Sequence, residues 1–184
     1  MSDRKKILVT GPSSSGKSEF AEMLAARTNK SVIYVATAKI DCHDREWQAR
    51  ILNHQQRRPT HWQTINAPKD LALQIEQTNS SQCLLIDSLG TWVANCLESD
   101  PVEWRRKCDR LLSALQTSQG AVILVGEETG WGVVPAYEMG RLFRDRLGSL
   151  SRYLGNVADI TYLIVGGHAL NLSILGEPLS KYEI

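Results

Sequence analysis

Long apolar runs are missing from this chain. Stretches such as residues 121–125 and 162–165 are strand-sized, against the ~20 residues of a membrane-crossing helix, so no membrane span is expected. A basic excess is missing as well. The 21 Lys and Arg face 20 Asp and Glu, a net charge of +1, which excludes a dedicated nucleic-acid binder; any basic surface must be local and matched to a local anionic ligand. The four cysteines (Cys42, Cys83, Cys96, Cys108) form no C-x-x-C pair, which excludes zinc spacing and, at this size, a disulfide framework. They read as reduced thiols. His43, His61 and His168 share no ligand spacing, and the run Asp41-Cys42-His43-Asp44 lacks the turn that would fold adjacent side chains onto one ion. The charged start leads into a short apolar run, not a secretory leader, and a cytosolic protein is expected.

What remains is an ordinary globular composition, 42% apolar and 22% charged over 184 residues, enough for one domain with a sizeable core. No repeat, low-complexity tract or linker interrupts it, so 1–184 is expected to be a single domain. Strand-like runs at 6–10, 32–36, 62–65, 83–87, 121–125 and 159–165 alternate with helix-like stretches at 17–28, 44–56, 69–77, 91–97, 102–116 and 137–154. This alternation predicts an α/β fold, P-loop NTPase-like, with a mainly parallel sheet and helices on both faces. Residues 126–135 read as a Gly-rich loop, and those beyond 165 as a short tail.

The strongest motif is Gly11-Pro12-Ser13-Ser14-Ser15-Gly16-Lys17-Ser18. It fits G-x-x-x-x-G-K-[ST] between a predicted strand and a predicted helix. Glycines let the backbone curl so that its N–H groups face phosphate oxygens, and the helix N-terminus adds positive potential. Lys17 would reach the β and γ phosphates and Ser18 would ligate Mg²⁺. Asp87 ends the run Cys83-Leu84-Leu85-Ile86, where a second contact to the metal or its waters belongs. The other reading is that Asp87 or Ser88 caps the next helix.

Glu46, Arg50 and His54 are spaced four apart and share one face of a predicted helix. A neutral imidazole there can attack phosphorus, and Arg57 and Arg58 can hold the phosphates. A solvated helix with ordinary charge pairing accounts for the same residues. The loop carrying Glu127, Glu128, Gly130, Trp131 and Gly132 follows a buried strand, where open α/β sheets place ligands; alternatively Trp131 folds onto the core. On the helix 137–154, Arg141 is placed to approach a phosphate, while Arg144, Arg146 and Arg152 read mostly as surface charge.

Taken together the motifs resemble the bifunctional adenosylcobinamide kinase / adenosylcobinamide-phosphate guanylyltransferase family of cobalamin biosynthesis, over residues 7 to about 165. The resemblance is carried by the P-loop with Ser18-Glu19-Phe20-Ala21-Glu22, by Tyr34-Val35-Ala36-Thr37-Ala38, by Arg50-Ile51-x-x-His54 and by Arg58-Pro59-x-x-Trp62. It continues with Asp87 and Asn95, Glu128-x-Gly130-x-Gly132-x-Val134-Pro135, and Phe143-Arg144-Asp145. It implies phosphorylation of adenosylcobinamide by ATP or GTP, then GMP transfer from GTP through a histidine matching His54. It also implies Mg²⁺, nucleotide contacts at Ala36, Thr37 and Ala38, and a homo-oligomer, a trimer by family analogy. The chain departs from the family pattern at Asn66, Glu127, Ser151 and Arg152. Two rival readings are a single-function P-loop kinase and a nucleotide-dependent binding module. Against the second stands the lack of an N-K-x-D-like guanine reader.

Overall fold

The computed structural model describes residues 5–38, 58–67 and 69–179. Its centre is a seven-stranded sheet. The chain runs β1 (Lys6–Gly11), α1 (Lys17–Ala26), β2 (Ser31–Ala36), β3 (Gln63–Asn66), α2 (Leu71–Glu76), β4 (Gln82–Asp87) and α3 (Leu89–Asn95). It continues with α4 (Pro101–Thr117), β5 (Ala121–Glu127), α5 (Glu138–Val157), β6 (Ile160–Val165), β7 (His168–Asn171) and α6 (Leu172–Leu175). The strand order is β3-β2-β4-β5-β1-β6-β7. All pairings are parallel except β6 with β7, so six strands end on the same rim.

The central strands are continuous β-branched and aliphatic runs because both faces are covered. Alternate residues go to opposite sides. Leu8, Ile33, Val35, Leu84, Ile86 and Leu124 pack with Leu71, Trp92, Leu111 and Leu147 from α2 to α5. Ile7, Val9, Tyr34, Leu85, Ile123 and Val125 pack with Ala21 and Ala25 of α1. Each fully buried Leu or Ile contributes roughly 1.5–3 kcal/mol through apolar burial. Helix starts follow their polar punctuation: Asp70, Ser88 and Asp100 accept from Leu73, Thr91 and Glu103 N–H. The helix-cap reading at the end of β4 thus belongs to Ser88.

The predicted strands and helices within the described residues appear within a few residues of their expected bounds; the predicted helix 44–56 lies outside them. Three expectations need correction. Gly126 and Glu127 are the last residues of β5, not loop, because the parallel register carries pairing on to Gly11 of β1. The expected tail turns at Gly166 and Gly167, both with positive φ, and returns as β7 and α6. Arg146 is not surface charge. It is 7% exposed and donates to the carbonyls of Cys96, Leu97 and Ser99 at 2.8, 3.2 and 2.6 Å, with its guanidinium 5.0 Å from the Trp104 ring centre. It closes the C-terminal end of α3, whose last carbonyls have no helical partner.

Cys83, Cys96 and Cys108 are free and buried. Burial pushes the Cys83 thiol up to about 11 and the Cys108 thiol up to about 12, so both stay protonated at neutral pH. Among the described residues no helix is long and apolar enough to cross a membrane.

Replacing Arg146 with Ala strands buried carbonyls and leaves a gap beside Trp104. Urea unfolding of Arg146→Ala should show a loss of about 3 kcal/mol; a loss below about 0.5 kcal/mol, the level of ordinary surface changes, would contradict the capping role.

Candidate active site

The rim where the parallel strands end brings together segments far apart in the chain. Gly11 of β1 stands opposite Glu127 of β5, Val125 of β5 opposite Asp87 of β4, and Asp87 opposite Ala36 of β2. The phosphate-loop motif, both strand-ending acids and the Ala36-Thr37-Ala38 segment therefore share one edge.

Gly11 begins the loop because nothing larger fits: a Cβ there would lie 2.5 Å from the Ile164 carbonyl oxygen of β6 and 2.9 Å from Ser15 Oγ. Ser14 and Gly16 take positive φ, 58° and 88°, which curls the backbone inward. Gly16 precedes α1 with no side-chain cap, so the first N–H groups of that helix are left to an anion. Lys17 is 9% exposed, and its Nζ donates to the Pro12 carbonyl at 3.2 Å, which holds the ammonium across the loop. Ser15 Oγ is buried without a partner among the described residues. Such an arrangement, with a cation held across the loop, suits an oxyanion.

Asp87 Oδ2 accepts from the Tyr34 hydroxyl at 2.9 Å. Burial, then the charge of Asp87, push the Tyr34 pKa far above its usual value, so the phenol stays a donor. The Arg58 guanidinium lies 3.2 Å over the Tyr34 ring centre, and its Nε is buried without a partner among the described residues. The Thr37 hydroxyl is engaged within the protein. Its Oγ1 donates to the Ser88 carbonyl at 2.8 Å and accepts from Ser88 N–H at 2.9 Å, and its carbonyl accepts from Asn95 Nδ2 at 2.8 Å. Thr37 ties the end of β2 to the turn after Asp87. Ala36 and Ala38 flank it, partly buried.

Glu128 is tied back to the P-loop strand: its Oε1 accepts from Thr10 Oγ1 at 2.6 Å and its N–H donates to the Gly11 carbonyl at 2.9 Å. Trp131 is 64% exposed, so it does not fold onto the core, and the positions of Gly130 and Gly132 are open. The far end of this loop is clamped by Arg141, which donates to the Pro135 and Ala136 carbonyls at 3.1 and 2.7 Å. His54 and Arg57 lie outside the described residues.

One residue had no role from sequence reasoning beyond its departure from the family pattern. Glu127 Oε2 accepts from Gly90 N–H at 2.8 Å, and the carboxylate packs into the space that a Cβ at Gly90 would take. Burial raises the Glu127 pKa, against the opposing pull of Ser88, Lys17 and the Gly90 N–H. The signal was the one that found Asp87: an acid closing an apolar strand run. Glu127 lines an open cleft of about 400 Å³ with Gly90, Thr91, Asn95, Thr129 and Phe143.

Among the described residues no three His, Cys, Asp or Glu side chains gather as a metal cage. The Ser18 hydroxyl and the Asp87 carboxylate are hard oxygen donors of the kind that suits Mg²⁺ shared with substrate phosphates.

A family model described as cobinamide kinase / cobinamide phosphate guanyltransferase matches residues 7–172. A bifunctional adenosylcobalamin biosynthesis protein of Pseudomonas aeruginosa, CobP, is 38% identical over 175 residues, covering 94% of this chain and 98% of that one. Its counterpart CobU from Escherichia coli is 35% identical over 176 residues, covering 88% of this chain and 96% of its own. Among solved structures, an ATPase domain superposes with a TM-score of 0.50 at 12% identity, covering 89% of this chain and 70% of that one. A Pyrococcus horikoshii protein superposes at 0.56 with 7% identity, covering 91% and 85%. These two likenesses speak for the P-loop NTPase-like fold alone. The family match and the relatives, over a chain that carries its phosphate loop on a parallel sheet, go further: the chain belongs to the cobinamide kinase / cobinamide phosphate guanyltransferase family of bifunctional transferases.

Proposed function

We propose that this chain phosphorylates the aminopropanol hydroxyl of adenosylcobinamide with ATP or GTP, then moves GMP from GTP through His54 onto the new phosphate, giving adenosylcobinamide-GDP. The observation that carries the reading is the nest of Gly11 to Ser18 with Lys17 held across it, at the same rim as Asp87, Glu127 and an open cleft.

In the kinase step the N–H groups from Ser13 to Ser18 hold the β and γ phosphates, and the Lys17 ammonium offsets the charge that grows between them. Ser18 and Asp87 would hold Mg²⁺, which when bound draws charge from phosphate oxygens. Thr37 keeps the Asp87 turn in place through Ser88. In the second step a His54 ring nitrogen, largely neutral at a reference pKa of about 6.5, attacks the α phosphorus of GTP. The new N–P bond replaces the P–O bond to the β phosphate, and the electron pair leaves with pyrophosphate. Lys17 and Arg58 take up its charge. An oxygen of the corinoid phosphate then attacks the same phosphorus and frees His54. The outcome of both steps is a small-molecule product, with neither nucleic acid nor membrane involved.

Lys17→Ala removes the cation fixed inside the nest, and losing one such preorganised donor typically costs about 10²–10³ in kcat. Kinase turnover should fall by at least that factor with the circular dichroism spectrum unchanged, and wild-type turnover in this variant would refute the P-loop assignment. Turnover should also stop in EDTA and return with added Mg²⁺; full activity in EDTA would remove the metal role from Ser18 and Asp87.

For the second step, protein incubated with α-³²P GTP should take up label that is lost in mild acid and kept in alkali, as a phosphoramidate requires. His54→Ala should take up none and still phosphorylate the corinoid. Label on His54→Ala moves the nucleophile elsewhere, with His61 next to test. A wild-type chain that phosphorylates the corinoid without becoming labelled is a single-function kinase.

A further inference from the structure

We propose that Tyr34 is a positioning residue, a neutral spacer that carries the Arg58 guanidinium on its ring and the Asp87 carboxylate on its hydroxyl. By keeping these two charges from pairing, it leaves Arg58 available to the phosphates of the nucleotide. The proposal deepens the reading above, in which Arg58 takes up phosphate charge, and rests on it.

The sheet delivers both groups to Tyr34. Leu85 of β4 stands opposite Tyr34 of β2, and Asp87, two residues on, belongs to the same face of the sheet. The Tyr34 hydroxyl donates to Asp87 Oδ2 at 2.9 Å. Arg58 arrives by another route. The turn after it is closed by the Trp62 N–H on the Pro59 carbonyl at 3.0 Å, and Trp62 is seated in the core cluster that holds Tyr34. The next residues form β3, whose Thr64 stands opposite Tyr34. The Arg58 guanidinium thereby comes to lie 3.2 Å over the Tyr34 ring centre.

An acid and a guanidinium so close to one side chain ordinarily meet in a bidentate pair. Here the acid is held by a hydroxyl and the guanidinium by a ring face. Arg58 Nε is buried without a partner among the described residues. Tyr34 is 2% exposed, so core packing fixes the ring, and it stands as a wall that neither charge displaces. A cation on a ring face is held by the ring quadrupole, which consumes none of its N–H donors. Those donors lie in the plane of the guanidinium, in the fork that fits phosphate oxygens. The stack also lies beside the phosphate loop. Tyr34 packs with Ala21 of α1, and the charge of Glu22 acts on it; Glu22 stands about one helical turn after Ser18.

The test is calorimetric binding of pyrophosphate to the full chain without Mg²⁺, with thermal unfolding to check that each variant is folded. Arg58→Ala should weaken binding about tenfold or more, the scale of a hydrogen bond to a charged group. Tyr34→Phe keeps the ring and should bind within about threefold of wild type, since a Phe face also holds a cation. Tyr34→Leu removes the ring and should weaken binding about tenfold, and adding Arg58→Ala to it should cost nothing more, as expected for residues that act as one unit. Released from the ring, Arg58 turns to Asp87. Asp87→Asn should therefore improve binding more in the Tyr34→Leu background than in wild type, a rescue that a merely structural tyrosine would not produce. Arg58→Lys leaves the core intact and keeps the charge on a flexible stem; it should bind nearly as weakly as Arg58→Ala, and it decides the matter if Tyr34→Leu does not fold. Wild-type affinity in Tyr34→Leu or in Arg58→Lys overturns the proposal. So does a loss in Tyr34→Phe as large as in Tyr34→Leu, or an equal gain from Asp87→Asn in both backgrounds. Each of these leaves the reading above standing. If Arg58→Ala binds like wild type, or if wild type binds no pyrophosphate, the role of Arg58 in that reading falls and this proposal falls with it.

Discussion

Everything at this site depends on strands that run the same way. In a parallel sheet the carboxyl ends fall on one rim, and each chain leaves that rim by a turn into a helix. Here β2, β4, β5 and β1 are neighbours in that order, so four turns far apart in the chain become adjacent. The local contacts reinforce the alignment. The Ile164 backbone of β6 closes on Gly11, Glu128 reaches back to Thr10, and Thr37 bridges to Ser88. None of these bonds makes sense in an antiparallel arrangement, where the same residues would lie at opposite ends.

The rim gathers acids beside the phosphate-loop motif. Asp87, Glu127 and Glu128 stand at strand ends beside the Lys17 ammonium, and the Arg58 guanidinium lies over the Tyr34 ring. Each acid has a neutral donor: the Tyr34 hydroxyl, the Gly90 N–H and the Thr10 hydroxyl. Such hydrogen bonds orient a carboxylate and make its burial tolerable without consuming the ammonium. Lys17 Nζ donates instead to the Pro12 carbonyl.

Much of this was legible in the residues. The P-loop was readable because its glycines, lysine and hydroxyl must follow at fixed spacing between a strand and a helix. The sheet was readable because buried parallel strands are uninterrupted apolar runs. Arg146 was not readable: a guanidinium that caps another helix depends on tertiary packing, and its neighbours in sequence are charged like any exposed helix face. Glu127 was hidden because parallel pairing with β1 extends β5 past a glycine that looked like the beginning of a loop. The hairpin that returns as β7 was hidden because His168-Ala169-Leu170-Asn171 is too short and too polar to stand out, and its register is set by the pairing with β6.

The pinning of α3 at both ends has a wider consequence. Its seven residues make a helix too short to persist alone, so α3 keeps its place through what grips it. Its first turn is held by Glu127 and its exit by the guanidinium of Arg146. The helix therefore behaves as a strut between the strand-end rim and the middle of α5. A change in the length of the segment at 97–100 would push along that strut and arrive at the cleft, although none of its residues lines it. Variation among related enzymes should accordingly be freer in the open positions near Gly130 and Gly132 than in the unremarkable turn that follows Cys96.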